Sequence, residues 1–296
     1  MKIYDCFTFF NELDLLEIRL NILDTYVDYF VLVESTKTHS GNTKELIFDK
    51  NKERFAKFSE KIIHIVVDDM PNLEKDNRWV LENFQREAIM RGLTKCTDND
   101  LVLISDLDEI PNPDKITGAM SVLSENGTKN KSTNDLLHHT YVAMKKIFPI
   151  FLRYFPVSSN KIVGFKQNFY YYYINGFLNN NWIGTRAVLY RDLVENFNSS
   201  PQQVRESLPK HILSGGGWHF SYLLSPEKIS EKIHSFAHSE FDKKEYTNVD
   251  DIKKKIASGK DLFGRDEKIT YLKIDTSYPK WLLDNIDKYP HYIHHD

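Results

Sequence analysis

The sequence predicts an α/β fold with a mainly parallel central sheet, helices on both faces and a small antiparallel part. Three observations carry that expectation. Short apolar runs alternate with helical-period segments through the first hundred residues. One of these runs, LVLIS at 101–105, opens directly onto two aspartates. From residue 136 to 191 the alternation gives way to β-branched and aromatic clusters, which suit antiparallel strands.

Each element has its own reason. KIYDCFTFF (2–10) reads as the first strand, and ELDLLEIRLNILDTY (12–26) follows as a helix with Leu13, Leu16, Leu20 and Leu23 at helical spacing. YFVLVES (29–35) is a second strand, KERFAKFSEK (52–61) a short helix and IIHIVV (62–67) a third strand. Residues 79–93 form a longer helix ahead of the fourth strand, LVLIS. Pro111 forces a turn after it. ITGAMSVLS (116–124) suits a helix, and ENGTKNKSTND (125–135) is polar enough for a flexible loop. FYYYYI (169–174) and TRAVLYR (185–191) read as strands, with two rings of the tyrosine run on each face and core packing expected on one. SPQQVRES is a short helix capped by Ser200 with Pro201 at its first position. Gly215, Gly216 and Gly217 lead into another strand and permit close backbone approach to a ligand. SPEKISEKIHSFAH (225–238) is a helix capped by Ser225, with Glu227 in its first turn. KWLLDNIDKY (280–289) closes the chain as a helix. No repeat or linker divides the sequence, so the expectation is a single domain over residues 1–296, a nucleotide-binding half (1–114) followed by an acceptor-shaping half (115–296).

Composition narrows the function. A net charge of -3 shows no basic excess, which argues against nucleic-acid binding. Cys6 and Cys96 stand in no metal or redox spacing. No apolar run approaches ~18 residues, and the N-terminus enters a strand at once. The expectation is a cytoplasmic protein without a transmembrane segment, peripheral to a membrane if its acceptor is lipid-linked.

The chemistry centres on SDLDEIP. Alternate residues of extended chain point the same way, so Asp106 and Asp108 can reach one cation. Hard carboxylates at that spacing suit Mn²⁺ or Mg²⁺ shared with a diphosphate. The carboxyl ends of parallel strands are where open α/β sheets bind ligands. Asn11 and Glu34 lie at that edge if the strands are parallel. Glu34 could accept from a base N–H or a ribose, or simply cap a turn; Arg86 could pair with a phosphate, or be a solvated helix residue. Trp218 can stack on a sugar, and His219 can complete a metal shell or be structural. His138, His139, His291, His294 and His295 read as surface residues.

Several ordered motifs resemble glycosyltransferase family 17: FNELDLLEIRLNILDTYVDYFVLVEST, SDLDEIP, GGWHFS, KIHSFAHSEF and PKWLL. The resemblance implies a GT-A-type fold and an inverting transfer from a UDP-sugar, UDP-N-acetylglucosamine first, with Mn²⁺ or Mg²⁺ as cofactor. It implies a glycan acceptor, lipid- or protein-linked. On that reading Asp108 binds the metal directly and Asp106 directly or through water, with His219 as third ligand. Glu34, Arg86, Asn11 and Trp218 contact the donor, and Glu240 is the first candidate for general base, Glu227 the second. The competing classes are a nucleotidyltransferase, a metal-dependent hydrolase and a non-enzymatic glycan-binding module. The first is disfavoured because FTFFNEL lacks the Gly and Lys of a phosphate loop.

Overall fold

The structure is a computed structural model that describes residues 1–72, 77–129 and 158–295. β1 (Ile3–Phe9) is buried along most of its length and sends alternate side chains to opposite faces. Phe7 and Phe9 enter one hydrophobic core, Tyr4 and Cys6 the other. α1 (Leu13–Leu23) covers the first face through Leu15, Leu16, Leu20 and Leu23. β2 (Tyr29–Ser35) runs parallel to β1, with Cys6 opposite Val31. A four-residue helix, α2 (Ile47–Lys50), and a 3-10 turn at Lys52–Phe58 occupy the region expected to be a short helix. β3 (Ile62–Val67) adds to β2 in parallel. α3 (Trp79–Glu87) packs Leu81 into the second core, so helices cover both faces as predicted. β4 (Leu101–Asp106) pairs with the free side of β1, also in parallel. The four strands lie in the order β3-β2-β1-β4, and the carboxyl ends of β1, β2 and β4 therefore share one edge.

The remaining elements extend the sheet. β5 (Glu109–Pro111) and α4 (Pro113–Lys129) follow the aspartate turn. The long strands β6 (Ser158–Tyr171) and β7 (Gly176–Leu189) pair antiparallel, and β7 joins the parallel part by pairing antiparallel with β4. α5 (Tyr190–Glu195) and α6 (Pro201–Glu206) come next, then β8 (Leu208–Leu213) and β9 (Gly217–Ser221), both parallel to β6. Ser200 and Ser225 cap α6 and α7 (Pro226–Ser235) by accepting from Gln203 and Lys228 backbone N–H groups. α8 (Lys244–Thr247), α9 (Val249–Ala257), β10 (Thr270–Tyr271) and α10 (Lys280–Asp284) complete the described chain. Among the described residues, no helix is long and apolar enough to cross a membrane.

Four expectations change. Glu109–Pro111 is a strand rather than a turn, because it finds a partner in β9, with Ile110 opposite Trp218. The glycines ahead of β9 serve that packing. Gly217 has φ +137, and a Cβ there would lie 2.1 Å from the Ile110 carbonyl oxygen. α4 continues to Lys129, into the stretch expected to be a loop. The tyrosine run is buried on both faces: Tyr170 joins the first core, while Tyr171 and Tyr172 join a third cluster with Ile229, Ile233 and Ile252. The rest of the expected polar loop, strands within 136–157, and His138 and His139 lie outside the described residues.

Candidate active site

β4 ends at Asp106 and the chain folds over Leu107 and Asp108 into β5. Arg19, fully buried on α1, holds this turn from beneath. Its guanidinium donates to the carbonyl oxygens of Asp106, Leu107 and Glu109, each at 3.0 Å, and to Ser105 Oγ at 2.6 Å. The same group pairs with the buried Asp5 carboxylate at 2.6 and 2.8 Å. Two charges inside apolar elements are thus satisfied by each other and by the turn.

Above the turn lies a cleft of about 290 Å³, lined by residues from β1, β4, α3, α7, β9 and the loop after β2. Asp106 and Asp108 both open into it, and each is held by cations. Arg86 reaches Asp106 Oδ1 at 2.9 Å, and Arg205 reaches Oδ2 at 3.3 Å. Burial alone would raise the Asp106 carboxyl, but the two guanidiniums outweigh it and hold it at about 2. Lys232 Nζ approaches Asp108 Oδ2 at 3.4 Å and His219 Nε2 approaches Oδ1 at 3.5 Å. Burial opposes ionisation there too, yet Lys232 and His219 keep the Asp108 carboxyl well below the usual carboxylate range. Lys232 also meets Glu12 at 2.9 Å, and the two carboxylates keep it protonated despite its burial. Glu109 is buried beneath, gripped by Arg205 at 2.8 and 3.0 Å and by Trp182 Nε1 at 2.8 Å. His39 lines the cleft beside Glu82 and donates from Nε2 to Gln85 Oε1 at 2.8 Å, and burial shifts its imidazole towards the neutral form.

The expected site residues do not all meet. Asp106, Asp108, Arg86 and His219 line the cleft together. Glu34 does not: it is fully buried, accepts from the Phe48 N–H at 3.1 Å, and pairs with Lys44 and His64 at 3.4 and 3.2 Å. Its lone pairs serve the chain itself, the turn-capping alternative. Asn11 is buried and outside the cleft lining, donating to Glu231 at 3.2 Å, with its Oδ1 buried and unpartnered among the described residues. Trp218 is a core residue whose Nε1 donates to the Ser277 carbonyl at 3.1 Å. Glu227 is exposed and paired with Lys253 at 3.2 Å, away from the cleft lining. Glu240 is likewise exposed and outside the lining, but its Oε1 lies 2.7 Å from His238 Nδ1, and His238 does line the cleft. Arg19, Arg205, Lys232 and Trp182 are residues that sequence reasoning passed over.

The metal expectation can be tested against the donor set. Among the described residues, no three His, Cys, Asp or Glu side chains converge as a metal shell. His219 stands with Asp108 alone, its ring stacked on Phe169 at 4.5 Å. What the cleft offers is two hard carboxylates, Asp106 with 37% and Asp108 with 13% of the side chain exposed. Such a pair fits a cation that takes its other ligands from substrate phosphates and water, as Mg²⁺ and Mn²⁺ commonly do.

Residues 1–122, from β1 through the aspartate turn into α4, match glycosyltransferase family 17. The resemblance to that family holds. The human protein named beta-1,4-mannosyl-glycoprotein 4-beta-N-acetylglucosaminyltransferase is 25% identical over 96% of this chain and 53% of its own length. The mouse protein of that name is 23% identical over 94% of this chain and 52% of its own. The rat protein is 28% identical over a shorter stretch, 36% of this chain and 21% of its own. The chain thus spans about half the length of the two relatives it matches end to end. Family 17 and these relatives support a glycosyltransferase enzyme.

Proposed function

We propose that the protein transfers N-acetylglucosamine from a UDP-sugar to a glycan acceptor, with inversion and with a divalent cation, on a GT-A-type fold. The observation that carries this is the position of Asp106 and Asp108. They lie at the carboxyl edge of a parallel sheet, open to a cleft, inside the part of the chain that matches family 17. Asp106 and Asp108 would hold the cation, which would supply Lewis-acid neutralisation of charge on the departing diphosphate. Arg86 and Lys232 present fixed positive charge beside the two carboxylates, where a diphosphate would be drawn in and oriented. Phe9, Phe10, Ser35 and Thr38 line the end of the cleft over β1 and β2, which suits a nucleoside. The acceptor hydroxyl needs a base inside the cleft. His238 serves in this reading: Glu240 binds its Nδ1 and fixes the tautomer, leaving the other ring nitrogen to take the proton.

Calorimetry with UDP, with and without Mn²⁺, together with UDP release from UDP-N-acetylglucosamine, tests this reading. Mn²⁺-dependent UDP binding is expected. Binding of glycan with no affinity for UDP under either condition would favour the glycan-binding module instead.

A further inference from the structure

Trp182 is placed unlike the aromatic residues around it. Phe169, Tyr170 and Phe220 on the neighbouring strands are buried, whereas Trp182 on β7 is 38% exposed and faces the cleft. Exposing part of so large an apolar ring forgoes burial energy. The ring is nevertheless fixed. Its Nε1 donates to Glu109 at 2.8 Å, and Glu109 is buried and clamped by both terminal nitrogens of Arg205. The indole also packs against Phe169 at 5.4 Å and His219 at 4.7 Å. A rigid aromatic face is therefore held open to the cleft at low entropic cost to any ligand.

Strand order gives the face an address. The edge runs from β2 and β1 to β4 and then β7. A nucleotide with its base over β1 and β2 and its diphosphate at the β4 aspartates would bring the attached sugar over β7. We infer that Trp182 is the platform on which a pyranose ring stacks at the transfer end of the cleft. This rests on the nucleotide-sugar reading above. The indole offers apolar contact to the C–H face of the sugar, and Glu109 is its positioning residue. The ring it meets belongs either to the donor sugar or to the terminal sugar of the acceptor.

Calorimetry on the full chain distinguishes these sources, comparing wild type, Trp182→Ala and Trp182→Phe in the presence of Mn²⁺. The probes are UDP, UDP-N-acetylglucosamine, and a mannose-terminated oligosaccharide with UDP present. Trp182→Ala should bind UDP as wild type does. It should lose about tenfold in affinity, the scale of one aromatic contact, for the nucleotide sugar if the donor ring stacks. The same loss for the oligosaccharide would place the acceptor ring there. Trp182→Phe should recover most of that loss. Wild-type affinity of Trp182→Ala for both sugars would overturn the platform, as would a phenylalanine variant no better than alanine. Failure of wild type to bind UDP at all would overturn the nucleotide-sugar reading and the platform with it.

Discussion

Arg19 on the first helix donates to the Leu107 carbonyl oxygen at 3.0 Å, tying α1 to the turn between the two cleft aspartates. That bond is one of several from a single buried guanidinium, and the partner charge, Asp5, is equally buried. Arg19→Met should leave Asp5 uncompensated and three turn carbonyls short of a donor. Removal of one partner from a buried pair costs about 3–5 kcal/mol. Urea denaturation should register a loss of that size. An unchanged midpoint would show that the turn holds itself.

Asp108→Asn keeps the side chain's shape but removes its charge. Mn²⁺-stimulated UDP release should then fall by on the order of 10²–10³-fold, as expected for loss of a charge that organises a leaving group. The thermal midpoint should fall as well, because the buried Lys232 loses one of its two carboxylate partners, so UDP release is compared at a temperature where both proteins are folded. Chelation of the wild-type protein should mimic the variant and be reversed by added Mn²⁺. Full activity in chelator would remove the cation from the reaction.

Glu34→Gln tests the placement of a carboxylate in the core rather than on a nucleotide. Glu34 satisfies the Phe48 N–H, Lys44 and His64, and it does not line the cleft. The variant should lose about 1–3 kcal/mol of stability through the groups left under-bonded. Its UDP affinity should stay within about twofold of wild type. A large drop in UDP affinity at unchanged stability would return Glu34 to the binding site.

The parallel sheet and the aspartate turn were legible because their signals are local. LVLIS is all but apolar on both sides, as a strand covered on both faces must be, and DLDE follows it in sequence. Arg19 and Asp5 also left a signal that went unused. Each is the lone charge within an otherwise apolar patch: Asp5 inside IYDCFTF, Arg19 on the leucine stripe of α1. Two such mismatches in adjacent elements point to one another. Arg205, Lys232 and Trp182 gave no such signal. Each reaches the site from an element far along the chain, so its role depends on how α6, α7 and β7 cross the sheet edge, which spacing alone does not encode. Glu34 and Trp218 misled for the same reason, since a strand end and a Gly-rich lead-in look alike whether they face a cleft or a core.

Acid stability should carry the signature of Asp106. Its carboxyl is held at about 2 in the folded chain by Arg86 and Arg205, against an ordinary value of 3.8. A group depressed by folding contributes stability that is present above its unfolded pKa and lost as pH falls through the folded one. The contribution should therefore be intact at pH 5 and disappear between about pH 4 and pH 2. Asp106→Asn should flatten the fall in unfolding free energy across that window and leave the slope between pH 5 and 7 unchanged. Identical acid profiles for the two proteins would mean that the guanidiniums confer no net preference for the ionised form.

The His238–Glu240 pair makes a kinetic claim separable from binding. If the imidazole takes the acceptor proton, His238→Ala should lower kcat by about 10²–10⁴-fold, the usual range for a general base. UDP affinity should be little altered, because the nucleoside end of the cleft is built from other elements. Glu240→Gln leaves the ring in place but replaces a charged partner at 2.7 Å with a neutral amide. The effect should be smaller, because the amide oxygen can still accept from the Nδ1–H and hold the tautomer. Glu227→Gln serves as the control, as its carboxylate is exposed and bound to Lys253. Equal kcat for His238→Ala and wild type would exclude the pair. A lowered kcat in Glu240→Gln at near-normal nucleotide affinity would locate the base at His238, which lines the cleft and whose Nδ1 lies 2.7 Å from Glu240.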